Sequence, residues 1–150
     1  MIKTRITSAI CTPLAGVKCS AGWAQTQQLM EHTKGTLRLI PAEPLRIVEL
    51  IEFDVRENLD GVYALVPDFT MSIVRSAEDG DRDAAMEKQK VLSDFLDLLC
   101  RNRVFPAVSE FFKIRSIPEH VTVAPHQPLS EEEQTAFRED PALKRILDAC

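Results

Sequence analysis

The sequence predicts a mainly α single domain of five or six helices, with room for one or two short strands and an α+β fold as the alternative. Apolar residues recur at helical spacing over residues 82–101, and residues 130–133 form a helix-capping pattern. The chain has 150 residues, of which 45% are hydrophobic and 27% charged. This mix is typical of a soluble globular domain, and a chain of this length buries roughly 70% of its unfolded surface.

The N-terminal part differs in charge from the rest of the chain. The first acidic residue is Glu31, although the chain holds 23 carboxylates. Residues 1–24 carry three basic side chains; since the whole chain carries −5, residues 25–150 carry −8. An acid-free, hydroxyl-rich and weakly basic start is typical of a targeting segment.

Three interpretations of residues 1–24 remain open. A secretory signal would be cut after Ala24, but Pro13 and several hydroxyl residues interrupt its apolar part, and Lys18 lies where charge is unusual. An organelle transit peptide would place apolar side chains on one helical face. These are Ile2, Ile6, Ile10, Leu14 and Val17. The third interpretation is an ordinary N-terminus that lacks acids.

The next elements alternate between polar helix, strand and apolar helix. Residues 25–34 are predicted as a short helix ending at Gly35, and residues 36–40 as an extended run stopped by Pro41. Apolar side chains at spacings of three and four predict a helix over residues 45–59.

The middle of the chain contains the strongest helix signal. Residues 62–66 could form either a helix or a strand, and residues 67–76 are assigned to a helix that begins with a proline. The turn at Glu78–Asp81 precedes a helix over residues 82–101 with a broad apolar face. We expect that helix to be the centre of the core and Asn102 to be its left-handed stop.

Proline and capping signals divide the C-terminal third. A short helix is predicted over residues 106–114, and three prolines make residues 116–129 an extended linker. Ser130 and Glu133 form a capping box, and Asp140-Pro141 starts a second short helix.

The predicted organisation therefore has four parts. Residues 1–24 are a targeting leader or a basic N-terminal segment, and residues 25–115 are the helical core. Residues 116–129 are the proline-rich linker, and residues 130–150 are the C-terminal helical pair.

Several chemistries lack their motif in this sequence. No two glycines are closer than six residues, which argues against phosphate-binding loops. There is no Cys-x-x-Cys and no His-Glu-x-x-His, and the acids around Gly80 do not match a calcium loop. No metal, no cofactor and no catalytic residue are predicted, and the acidic balance argues against nucleic acid.

The cysteines predict no redox site. Cys100 is expected to be a small buried apolar residue on the core helix. A disulfide between Cys100 and Cys150 is expected only if the protein is exported.

The favoured function is a small acidic helical interaction protein without catalytic activity, such as an accessory subunit, adaptor or chaperone-like factor. The alternative is an enzyme or small-ligand-binding domain with an unrecognised site, and the balance is against an enzyme. A protein partner is expected, with no integral membrane segment. We expect a cytoplasmic location if the N-terminus is retained, and export or organelle import otherwise. The predicted partner-binding residues are Phe137, Leu143, Ile146, Leu147, Arg101 and Arg103.

Overall fold

The computed structural model describes residues 15–33, 36–118 and 122–150. These residues form two short strands and eight helices. In chain order they are β1 (Gly16–Cys19), α1 (Trp23–Thr33), β2 (Arg38–Pro41), α2 (Ile47–Glu52), α3 (Val62–Leu65), α4 (Pro67–Glu78), α5 (Arg82–Arg101), α6 (Val104–Ile114), α7 (Glu131–Glu139) and α8 (Pro141–Asp148).

The two strands are parallel and are connected by α1, so the chain begins with a β-α-β unit. Gly16 pairs with Arg38 and Cys19 with Pro41. A Cβ atom on Gly16 would lie 2.9 Å from the carbonyl oxygen of Arg38, so this close approach requires glycine. Part of the predicted 1–24 leader is therefore strand β1 and the beginning of α1, whereas residues 1–14 lie outside the described residues.

The predicted helix over residues 45–59 is wrong beyond α2. Asp54 adopts a left-handed conformation with φ of 58°, and the chain then turns away from the helix axis. The amide of Leu59 donates to the carbonyl of Pro41 at 2.8 Å, so this segment lies beside the end of β2. The backbone bond to β2 outweighs the helical apolar pattern, since local periodicity is a weak determinant against tertiary contacts.

α5 is the centre of the core, as the sequence predicts. Asp81 caps its N-terminus by accepting from the amide of Ala84 at 3.1 Å. Leu92 and Phe95 are fully buried, and the Phe95 and Phe111 rings lie 5.0 Å apart. Helices α2, α4, α6 and α8 all contact α5.

The end of α5 differs from its predicted form. Asn102 has φ of −102°, and the left-handed residue is Arg103 with φ of 60°. Asn102 instead donates its side-chain amide to the carbonyl of Leu98 at 2.9 Å. That bond satisfies one of the unpaired carbonyls of the last turn of α5, and the left-handed residue that ends the helix is the next one along the chain.

The C-terminal helices begin where the capping pattern predicts. Ser130 accepts from the amide of Glu133, and the Glu133 side chain accepts from the amide of Ser130. Asp140 caps α8 by accepting from the amide of Ala142 at 2.8 Å. Both helices dock on the rest of the domain, because their apolar side chains enter the common core.

The mainly α fold class is confirmed. The described residues hold eight helices rather than five or six, and one of them, α3, lies in residues 62–66, which the sequence leaves ambiguous between helix and strand. None of the helices in these ranges has the length and apolar character needed to span a membrane.

Candidate functional site

The carboxyl ends of β1 and β2 lie at the same edge of the sheet, because the strands are parallel. Residues 20–22 follow β1 there, and residues 42–46 follow β2. Loops at this edge of a parallel sheet are where α/β proteins place their ligand sites.

Lys18 lies one residue before the carboxyl end of β1 and on the face of the sheet that the helices leave open. Its side chain is exposed, whereas the next residue, Cys19, is 5% exposed on the helix side. Successive side chains of a strand point to opposite faces, and Lys18 is in register with Ile40 of β2. Within the described ranges no hydrogen bond or ion pair engages the Lys18 ammonium group.

A buried polar cluster on the helix side ties this edge to α1. The Thr26 hydroxyl is fully buried and donates to Glu43 Oε1 at 3.0 Å, and it lies 3.5 Å from the Sγ of Cys19. Glu43 is only 9% exposed, although it follows β2 by two residues. The hydrogen bond from Thr26 therefore orients a largely buried carboxylate at the edge where β1 and β2 end.

Asn58 holds the backbone of Glu43 from the other side. Asn58 Oδ1 accepts from the Glu43 amide at 3.0 Å, and Nδ2 donates to the Glu43 carbonyl at 3.0 Å and to the Tyr63 hydroxyl at 2.6 Å. Burial raises the pKa of Tyr63, and the carboxylates of Asp60 and Glu43 raise it further. Tyr63 is thus a neutral phenol at neutral pH. The side chain of Asn58 bonds to both the amide and the carbonyl of Glu43, which is the pair of hydrogen bonds that a neighbouring strand would make.

Comparison with known proteins supports a fold likeness. No family model matches the chain, and no curated protein matches it. Among solved structures, a "putative dihydrodipicolinate synthetase" from Pseudomonas aeruginosa superposes with a TM-score of 0.73 at 16% identity, over 88% of this chain and 45% of that one. N-acetylneuraminate lyase (sialic acid aldolase) from Aliivibrio salmonicida superposes with a TM-score of 0.72 at 17% identity, over 91% of this chain and 44% of that one.

Both neighbours have a (β/α)8-barrel fold, and this chain spans somewhat less than half of the length of each. The predicted non-catalytic interaction protein is contradicted by this likeness, which points to an enzyme fold and favours the alternative of an enzyme or ligand-binding domain. In this barrel fold the helices lie outside and the opposite face of each strand lines the interior.

The predicted partner-binding residues hold the C-terminal helices on the domain. Phe137, Leu143 and Ile146 are at most 1% exposed and belong to the core, and Leu147 packs against it half-buried. Arg101 pairs with Asp140 at 3.0 Å, and Arg103 pairs with Glu133 at 2.8 Å. Contact of these residues with another protein stays a prediction. These intramolecular contacts leave them little free apolar surface for it.

The cysteines and histidines do not converge on a site in the described residues. Cys100 is exposed on α5 rather than buried as predicted, because it lies beyond the edge of the buried face that Leu92, Phe95 and Leu99 form; Cys150 is also exposed, and both thiols are free. His126 packs against Phe105 with ring centroids 5.0 Å apart, and His32 contacts the Gln28 carbonyl. His120 lies outside the described residues.

Sequence reasoning missed Lys18 as a site residue. In the sequence, Lys18 is one of three positive charges in an acid-free segment, and this charge asymmetry favours a leader over a strand. The short run from Gly16 to Gly22 contained a usable signal, since an apolar residue flanks Lys18 on each side and small residues precede a helix. That pattern is typical of a strand, a tight turn and a helix in an α/β unit.

Proposed function

We propose that this chain carries the nucleophile of a barrel enzyme that makes or breaks a carbon–carbon bond next to a carbonyl group, with Lys18 forming a Schiff base with the substrate. The observation that carries the proposal is the position of Lys18 at the carboxyl end of β1, on the face opposite the helices. Residues at the carboxyl ends of barrel strands are typically catalytic. The names of the two neighbours, a synthetase and a lyase, support this class of reaction.

The chemistry requires an amine that can reach a carbonyl carbon. The unprotonated Lys18 amine adds to the carbonyl carbon, and with uptake of one proton the adduct loses one water molecule and becomes a protonated imine. The positively charged imine then accepts the electron pair released when the adjacent carbon–carbon bond breaks. This leaves an enamine, while the departing carbon loses its hydroxyl proton and becomes a carbonyl. The enamine then takes up a proton on carbon and becomes a protonated imine again. Water adds to this imine, restores the carbonyl and frees the Lys18 amine and one proton, so the lysine is regenerated in each cycle.

The other described lysines are poorer candidates because all of them lie on helices. Lys88 donates to Ser76 at 2.7 Å, Lys90 pairs with Asp94 at 2.8 Å, and Lys113 lies 3.6 Å from Glu110. Lys144 lies on the exposed side of α8. Lys18 alone among the lysines of the described ranges lies on a strand, and this favours it for the nucleophile.

Glu43 supplies a second group at the same edge. Its Oε1 is held by Thr26, and its backbone is held by Asn58, so the carboxylate has little freedom to move. The carboxylate is largely buried on the helix side, so it fixes the chain that follows β2 at the edge where Lys18 lies. We assign Glu43 to holding this edge of the sheet rather than to contact with the substrate.

Trapping of the imine tests the proposal. N-acetylneuraminate is a 2-keto acid, so pyruvate is a suitable small probe. The protein is prepared from its native source, together with any further chain that completes the barrel, and is treated with pyruvate and sodium borohydride. The expected result is one reduced pyruvate unit on the peptide that contains Lys18, located by mass spectrometry.

The matched controls are two lysine variants. Lys18→Arg keeps the positive charge and loses the adduct, whereas Lys144→Arg on the exposed side of α8 keeps it. Labelling that is unchanged in Lys18→Arg, or that spreads over helical lysines in the native protein, would contradict the assignment.

A further inference from the structure

A cavity of about 380 Å³ lies between α2, residues 55–63 and α4. Most of its wall is apolar, and α4 runs along it from Pro67 to Glu78, a helical rise of about 16 Å. The volume is within the range of pockets that hold small molecules. The cavity is therefore elongated and suited to an extended apolar body. The apolar wall consists mainly of Ile47, Leu50, Ile51, Val55, Met71 and Val74.

Asn58 and Tyr63 form a polar part of the wall near the beginning of α4. The Tyr63 hydroxyl accepts from Asn58 at 2.6 Å, but its own hydrogen faces only the Glu43 carbonyl, at 3.5 Å. That distance is at the limit of a hydrogen bond, so the proton is available to a closer acceptor. Because burial raises the pKa of Tyr63, the hydroxyl remains a donor at neutral pH.

The other end of the cavity does not attract anions. Arg56 pairs with Asp54 at 2.9 Å and with Glu78 at 3.0 Å, so two carboxylates surround one guanidinium group. Thr70 gives its hydroxyl hydrogen to the carbonyl of Val66 at 3.0 Å and has none left for a ligand. An ionised carboxylate would therefore enter an apolar space beside an excess of negative charge, which is unfavourable.

We propose that this cavity binds an elongated neutral molecule with an apolar body and one terminal hydrogen-bond acceptor, which receives the hydroxyl hydrogen of Tyr63. The site is separate from the proposed Schiff-base chemistry, because Lys18 does not line it. Ligand occupancy fills an apolar space within the helix layer and completes the hydrogen bonding of Tyr63.

The test uses 1-hexanol, a neutral probe that cannot condense with Lys18. The alcohol is titrated into isotopically labelled protein, and the amide resonances are followed by NMR. The expected result is saturable shifts confined to α2, residues 55–63 and α4. Shifts that do not saturate, or that spread evenly over the surface, would overturn the proposal.

Two valine variants separate filling of the cavity from general destabilisation. Val74→Phe fills the cavity and abolishes the saturable shifts, whereas Val108→Phe, a change at a half-buried valine of α6 outside the cavity, leaves them intact. If Val74→Phe fails to fold, Met71→Trp on the exposed side of α4 takes its place. Unchanged 1-hexanol binding in the folded filling variant contradicts the site.

The polar end is tested with a tyrosine variant and a charged probe. Tyr63→Phe removes only the hydroxyl and is expected to weaken 1-hexanol binding by roughly 2- to 10-fold. Hexanoate has the same body with an anionic end and is expected to bind more weakly than 1-hexanol. Equal or tighter hexanoate binding would show an anion site and overturn the assigned class of ligand.

Discussion

At the scale of single residues, the two-residue period of a strand separates Lys18 from its neighbours. Cys19 turns toward the helices and is buried with Thr26, while Lys18 turns toward the open face. Lys90 and Lys113, which lie on helices, have acidic partners instead. The role proposed for Lys18 therefore depends on one position of register in β1.

Gly16 is the residue on which the pairing of β1 and β2 depends most directly. Gly16→Ala places a methyl group 2.9 Å from the Arg38 carbonyl oxygen, and the strands must separate to admit it. We expect the free energy of unfolding to fall by about 1–3 kcal/mol in urea denaturation.

Gly61 provides the matched control. It has α-helical dihedral angles at the beginning of α3, and an added Cβ would meet no atom within 4 Å. Gly61→Ala is expected to leave stability unchanged or to raise it by about 0.4–1 kcal/mol. A Gly16→Ala protein as stable as Gly61→Ala would show that the close strand approach is absent in solution.

At the scale of elements, the two C-terminal helices combine local capping with long-range contacts. The capping box at Ser130 starts α7, and the buried Phe137 then anchors it. Arg103 connects the end of α5 to Glu133 within that same capping box. The start of α7 is therefore fixed by a local pattern and reinforced by tertiary contacts.

The capping box makes the stability of this region depend on pH. The hydrogen bond from the Ser130 amide lowers the pKa of Glu133, and Arg103 lowers it further. A carboxyl with a lowered folded pKa stabilises the fold above its unfolded pKa, and this contribution is lost as pH falls through the folded value. Glu133→Gln keeps a hydrogen-bond acceptor but does not titrate, so we expect a smaller loss of stability on acidification below about pH 4.5.

The neighbouring acid serves as the control for this measurement. Glu132 is in the same helical turn but takes no part in the capping box. In thermal unfolding followed from pH 7 to pH 3, Glu132→Gln should keep the acid dependence of the unchanged protein more closely than Glu133→Gln. Equal behaviour of the two variants would mean that the capping carboxylate does not contribute.

At the scale of the whole molecule, the helices cover one side of a two-stranded sheet and leave the other side open. Arg38 and Glu57 form an ion pair beside that open side. In an eight-stranded α/β barrel, further strands pair with the edges of such a sheet, and side chains fill the interior on this side. Within residues 15–33, 36–118 and 122–150 the helical part is therefore well packed, and the sheet has little cover on its open side.

This difference predicts uneven hydrogen exchange. In the 150-residue chain we expect amides of α5 around Leu92 and Phe95 to exchange most slowly, because they open only with the whole core. Amides of β1 are expected to exchange orders of magnitude faster, since β2 is its only partner strand among the residues that the structure describes. Mass spectrometry of exchanged peptides measures both. Protection of β1 equal to that of α5 would show that the open face is covered in solution.

Elements that depend on residues close together in the chain could be predicted from the sequence alone. α5 has the bounds that its apolar spacing predicts, and the capping box places the start of α7 at the residue expected. Helix periodicity and capping depend on residues three or four apart, so they can be read without knowledge of the fold.

Three features follow only from the tertiary structure. They are the parallel pairing of β1 with β2, the non-helical conformation of residues 55–59, and the face of the sheet on which Lys18 lies. Each depends on contacts between residues about twenty positions apart, such as Gly16 with Arg38 and Leu59 with Pro41. A strand of four residues is too short for the alternation of its side chains to show which strand it pairs with. The candidate site therefore could not be predicted from the sequence, because its residues come together only when β1 and β2 pair.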